Sequence, residues 1–200
     1  MQKAMLGVMA AIFALSAQDT KPTCNHCSAT YINSDELQAY VKRAVDNHLI
    51  DQHVRSVDIG KSQVGIGMVY RGKLLEPGKN SVAEHDLISE VYHIIDGSAT
   101  LVTGPDMVDQ KRRPATLQTV REFNGPGNNA ATIRNGVTYQ LKPGDVIVIP
   151  AGVGHWFTRI DDHITYLMVR IDPDKAVPLK DEDASKSYLR SPAKAGEKNE

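Results

Sequence analysis

The chain has 200 residues, 41% of them apolar and 24% charged, with 23 Lys and Arg against 24 Asp and Glu for a formal charge of −1. Such a length and composition suit one ordinary globular domain with a sizeable core. Near-neutrality argues against a nucleic-acid or anionic-membrane partner, because either demands a concentrated basic surface.

Lys3 precedes the uncharged run Ala4 to Leu15, which ends in small residues before Gln18-Asp19. A cationic start, an apolar stretch of about 7–15 residues and small residues at its end form the pattern of a cleaved export signal. Residues 1–17 are therefore expected to be removed, after Ser16 or Ala17. The alternative is an uncleaved anchor or an internal helix, for which the run is short. The cysteines follow in Cys24-Asn25-His26-Cys27. A redox pair normally opens a helix that lowers the thiol pKa, and a zinc site needs further ligands. In a polar lead-in, an exported chain is expected to join the two as a local disulfide. The expected location is the periplasm or outside the cell, with no membrane contact once the signal is gone.

A helix follows. Asn33 or Ser34 can cap it, and Asp35 and Glu36 suit the positive end of its dipole. Leu37, Tyr40, Val41, Ala44 and His48 recur at helical spacing as one stripe, which predicts packing against whatever follows. His48 and His53 read as surface or helix-end residues, closing an N-terminal unit over 18–53.

From 54 to 172 short β-rich runs alternate with glycine and proline turns. The runs are Val64 to Tyr70, Val91 to Val102, Val137 to Leu141, Val146 to Ile149 and Ile164 to Ile171. Many short strands with little helix between them predict an all-β antiparallel sandwich or barrel. Between Gln110 and Gly136 the pattern weakens into a long polar connection holding one short candidate strand, Leu117 to Phe123, and such loops are often either functional or mobile. Residues 173–200 are rich in charge and proline, and read as a polar tail ordered only in its first part.

Two segments carry the chemistry. In His85-Asp86-Leu87-Ile88-Ser89-Glu90-Val91-Tyr92, strand alternation puts Glu90 and Tyr92 on one face. In Gly144 to Phe157, His155 and Phe157 share a face with Trp156 opposite. If those faces point inward, Glu90 and His155 meet inside the barrel and His85 reaches them from the turn. Two imidazoles and one carboxylate with open positions form a facial site suited to divalent Fe, Mn, Zn or Ni.

These segments resemble the two motifs of the cupin superfamily. His85, four residues, Glu90, six residues and Gly97 match the second half of the first motif, and Gly144, Pro150, Gly152 and His155 match the second. The resemblance covers roughly Gly60 to Ile171. It implies a double-stranded β-helix, or jelly-roll barrel, with the N-terminal helix packed outside. It also implies a divalent metal on His85, Glu90 and His155, a small-molecule ligand or substrate, and a homodimer. Ala83 stands where the family has its first histidine, and Arg159 where it has an asparagine. The four-ligand set is thus reduced to three; Glu84 and His93 alternate away and do not replace the fourth.

Tyr92 and Phe157 line the cavity or serve as plain core. Arg71 and Arg170, near strand ends, anchor an anionic substrate or are ion-paired. Trp156 is expected outside the barrel, against the N-terminal helix or a second subunit. Two functions fit these residues: a metal-dependent oxygenase, lyase or isomerase, or a non-catalytic small-molecule-binding cupin without metal.

Overall fold

A computed structural model describes residues 21–24 and 27–192. The export-signal reading of residues 1–17 lies outside the described residues. Cys24 and Cys27 are joined in a disulfide, their Cα atoms 5.7 Å apart.

Helix α1 spans Ser34–Asn47, capped by Asn33, whose side chain accepts from the Glu36 N–H. Thirteen strands follow in chain order. The first five are β1 (Asp51–Asp58), β2 (Gln63–Arg71), β3 (Val82–His85), β4 (Ser89–Gly97) and β5 (Ala99–Gly104). Then come the short β6 (Met107–Val108), β7 (Lys111–Arg112), β8 (Gly127–Ala130) and β9 (Thr132–Ile133). The chain returns through β10 (Val137–Leu141), β11 (Val146–Ile149), β12 (Gly154–Arg159) and β13 (Ile164–Asp172), and closes with helix α2 (Glu182–Arg190).

One sheet runs β1-β2-β13-β4-β11 and the facing sheet β10-β5-β12-β3-β8-β7, with antiparallel pairing throughout. Each strand turns alternate side chains into the space between the sheets. Val69, Tyr92, Leu101, Phe157, Tyr166 and Met168 belong to the core formed there. This is a jelly-roll barrel of two facing antiparallel sheets, and α1 packs on its outside through Tyr40, which meets Val54 and Met68 from the outer face of β1 and β2.

Four details depart from the pattern read in the sequence. The barrel begins at Asp51, not 54, because Val54 forms a bulge in β1 that breaks the alternation; His53 is buried on that strand, not at the surface. The stripe of α1 stops at Ala44, and His48 is an exposed left-handed C-cap. Leu117 to Phe123 is no strand: a helical turn covers Val120–Asn124, β7 and β8 extend the six-stranded sheet on either side of it, and β9 pairs with β6 in a separate two-stranded ladder. The C-terminal segment is not only polar tail. Asp172 accepts from the N–H groups of Ala176 and Val177. Asp181 caps α2, whose Tyr188 stacks on Tyr40 at 5.6 Å.

His53 is 8% exposed, its Nε2 2.7 Å from Ser56 Oγ and its ring stacked on Phe123. Burial, aided by Arg170 and Lys180 nearby, holds its pKa well below the ordinary value, so it stays neutral when folded. The unfolded chain takes up this proton as pH falls below about 6.5 and the folded chain does not, which favours unfolding by up to about 1.4 kcal/mol per pH unit. This stability is present above that pH and lost on acidification. Urea unfolding at pH 7 and 5.5 is expected to show a loss smaller by about 1 kcal/mol in His53→Gln than in the parent. An equal loss in both would remove His53 from the account.

Candidate functional site

Three strands of the two walls deliver the site. β3 ends at His85 in one sheet, the chain turns through Asp86-Leu87-Ile88, and β4 re-enters in the other sheet with Glu90 as its second residue. β12 lies beside β3 with His155 directly opposite Ala83. Since Ala83 and His85 share a face of β3, both point into the cavity along with His155. The expected trio is therefore assembled: one nitrogen from each histidine and one Glu90 oxygen lie within 4.8 Å of one another, and all three residues are buried.

The separations are 3.3 Å from His85 Nε2 to Glu90 Oε1 and 3.5 Å from His155 Nε2 to Glu90 Oε2. Two metal bonds of about 2.1 Å span at most about 4.2 Å, so each histidine already stands close enough to Glu90 to share one small cation with it. The trio's full span of up to 4.8 Å requires the ligands to draw inward on binding. His155 Nδ1 lies 3.3 Å from the Val153 carbonyl oxygen, which only accepts. Glu90 Oε2, which faces Nε2, accepts as well, so the single proton of the neutral ring satisfies one of the two; with it on Nδ1, a bare Nε2 lone pair faces the carboxylate. Burial lowers the His155 pKa to about 4, against the opposing pull of Glu90, so the ring is neutral at pH 7. In that tautomer the two facing acceptors form an arrangement that a cation relieves.

Glu90 is held ionised. Burial alone pushes its carboxyl up, but His85, His155 and Arg170 together hold it well below the usual range. With His155 neutral, Arg170 is the permanent charge among these. It stands directly across the ladder from Glu90, its Nε 3.5 Å from Oε1, and pairs with Asp51 as well. The Tyr92 hydroxyl donates to Glu90 Oε2 at 2.7 Å. Burial and then the Glu90 charge push that phenol well above its ordinary pKa, so it stays protonated.

The cavity in front of the trio has a volume of about 460 Å³. Tyr92, Phe157 and Arg71 line it, as the sequence suggests, and so does Ala83 at the vacated ligand position. Arg170 does not; it is buried and contacts two carboxylates, so of the two readings of the sequence it takes the ion-paired one and not that of a substrate anchor. Glu84 faces away, accepting from Asn128, and His93 is exposed. Arg159 is exposed and paired with Asp161. Trp156 lies outside the barrel as expected, but against Val82, Ala130 and Ile133, with its Nε1 donating to Ser81 Oγ, and not on α1.

Two residues of the site escape the sequence. Asp51 reaches the cavity because β1 starts early. Arg113, from the basic run before Pro114, enters from the long connection, and its Nη2 donates to the Glu84 carbonyl and to His85 Nδ1 at 2.9 Å. Gly127 makes room for it, since a Cβ there would run into Glu84 O and Arg113 Nη2.

The family model described as the AraC-like ligand-binding domain matches residues 133–190, which include His155 but neither His85 nor Glu90. No protein of curated function matches the sequence. Among solved structures the chain is similar to a Bacillus halodurans protein at 12% identity and TM-score 0.41, over 82% of this chain and 98% of that one. It is also similar to a Bacteroides fragilis cupin protein at 14% identity and TM-score 0.33, over 56% and 68% of the two chains. A third is the DMSP lyase DddQ from Ruegeria pomeroyi, at 16% identity and TM-score 0.39, over 74% and 57%.

Arg113 sets a condition on the trio. A guanidinium only donates, so His85 Nδ1 accepts and the proton of the neutral ring sits on Nε2, aimed at Glu90. For Nε2 to bind a metal the proton has to move to Nδ1, where Arg113 stands. Ligation by His85 and the Arg113 hydrogen bond exclude one another. Arg113→Met is expected to tighten divalent-metal binding on the order of tenfold, read by competition with a chromogenic chelator. Unchanged or weaker binding would show that His85 is no ligand.

Proposed function

We propose that this chain, a cupin by its barrel and its two motifs, is exported and binds a divalent Fe, Mn, Zn or Ni ion through His85, Glu90 and His155, acting on a small organic molecule in the barrel cavity. One observation carries the reading: a nitrogen from each of two buried histidines and an oxygen of the ionised, buried Glu90 converge within 4.8 Å of one another at the cavity wall. When bound, the ion supplies Lewis acidity or lowers the pKa of a bound water. Oxygenation, decarboxylation, isomerisation and lyase chemistry all fit such a centre.

The chain's own groups have distinct parts. Glu90 is a ligand and not a base, because Arg170 and the Tyr92 hydroxyl keep its charge in place. Tyr92, protonated at all ordinary pH, donates a hydrogen bond toward the centre. His155, neutral at pH 7, offers a ring nitrogen. Tyr92 and Phe157, stacked 6.5 Å apart, give the substrate an apolar wall that limits water.

A second reading, a metal-free binder of a small molecule, has its own support. His85 Nε2–H satisfies Glu90, and Arg113 satisfies His85, with no ion between them. Export is supported by the Cys24–Cys27 disulfide and by the pattern of residues 1–17. The homodimer is supported by apolar side chains on the outer faces of consecutive edge strands, with Val137 56% and Val146 and Val148 each 61% exposed. Light scattering is expected to give twice the chain mass, halved in Val148→Lys.

Elemental mass spectrometry of the protein purified without a histidine tag distinguishes the two readings of the site. Near-stoichiometric Fe, Mn, Zn or Ni is expected in the parent and lost in both His155→Ala and Glu90→Gln. A folded parent that stays empty after incubation with each ion leaves the metal-free binder.

A further inference from the structure

The cavity carries more positive charge than its acids neutralise. Asp51 and Glu90 line it, and both are already held by Arg170, which lies behind the wall. Arg71, Arg113 and the exposed Lys79 line the same cavity, and none of the three makes an ion pair among the described residues. A buried acid is thus matched on one side, while three cations face the open space.

Of these, Arg71 is the one built into position for a ligand. It is the last residue of β2 and half-buried. Its Nε donates to the Tyr166 hydroxyl at 3.3 Å, and its guanidinium carbon lies 4.8 Å from the centre of the Phe157 ring. Those contacts occupy one nitrogen and one face of the guanidinium. The two Nη groups have no hydrogen-bond partner among the described residues. A fork so held matches the paired oxygens of a carboxylate or phosphate.

The surroundings fix what lies next to the anion. From Arg71 a row of rings leads to the candidate metal centre: Phe157, then Tyr92 at 6.5 Å, then His155 at a further 6.3 Å. We propose that the cavity takes a small organic anion, its carboxylate or phosphate bound by Arg71 and its body lying on Phe157 and Tyr92 with the far end at His85, Glu90 and His155. Placing the far end at that trio rests on the metal-centre reading; the anion site does not. The volume of about 460 Å³ is toward the small end of ligand pockets, which run to about 300–1,000 Å³.

The test is titration calorimetry on the full protein, stripped of metal by chelator and dialysed, with malonate in one arm and inorganic phosphate in the other. Saturable binding of at least one anion is expected, weakened tenfold or more in Arg71→Met and unchanged in the exposed control Arg159→Gln. The anion that binds tighter names the source. No saturable binding of either anion by the parent overturns the proposal, as does parent-like binding by Arg71→Met. Should Arg71→Met fail to fold by circular dichroism, Arg71→Lys decides, because it keeps the charge and loses the fork: a tenfold loss supports the anchor, and a Kd within twofold of the parent overturns it. Because the protein is metal-free, an empty metal site leaves this result untouched.

Discussion

The interior of this barrel is organised around Arg170. A carboxylate as buried as Glu90, 2% exposed, is costly to keep charged unless an opposite charge and hydrogen bonds meet it. Arg170 meets it from the facing position on the neighbouring strand and reaches on to Asp51 two strands away. The reach requires clear floor across β2, and the sequence supplies Gly65 and Gly67 there. A Cβ at Gly67 would stand 3.1 Å from Arg170 Nη1, and one at Gly65 would stand 3.3 Å from Arg170 Cβ. Two glycines, two acids and one arginine on four adjacent strands therefore form one unit. Its product is a carboxylate that is ionised and fixed before any ligand arrives.

That unit explains why the site was partly legible in the sequence. Glycine, proline and three polar groups in motif register depend on local turns, and a strand's period of two decides which side chains point in. Glu90, Tyr92, His155 and Phe157 were readable on those grounds. Arg170 was readable as a strand residue but not as the partner of Glu90, because that pairing joins β4 to β13, strands far apart in sequence. The bulge at Val54 hid the start of β1 and with it Asp51 and His53, since alternation fails where an extra residue enters the ladder.

The segments misread as strand and tail failed for another reason. Leu117 to Phe123 has strand-like composition, yet Val120 and Phe123 are buried from a helical turn, so tertiary packing overrode local preference. Helix α2 contributes little apolar surface of its own beyond Tyr188 and Leu189, which pack on the Tyr40 cluster, and it holds its place through polar contacts. Ser185 bonds the Val54 carbonyl, and Tyr188 donates to Gln52 at 2.7 Å. Such contacts have no periodic signature.

The three arginines around the cavity show how position, and not residue type, assigns a role. Arg170 faces carboxylates on both sides, so its charge is matched within the protein. Arg113 directs its Nη2 at a backbone carbonyl and a histidine, both neutral acceptors, which leaves its charge unmatched but that donor engaged. Arg71 lies over an aromatic ring, and a ring attracts the cation through its face without accepting the in-plane N–H groups. It alone combines the absence of a close ion pair among the described residues, Asp51 acting on it only at longer range, with terminal nitrogens that make no hydrogen bond there, inside a cavity whose two acids both contact Arg170. A carboxylate brought in by a ligand would find its partner at Arg71 without first breaking an interaction, whereas at Arg170 or Arg113 it would have to displace one.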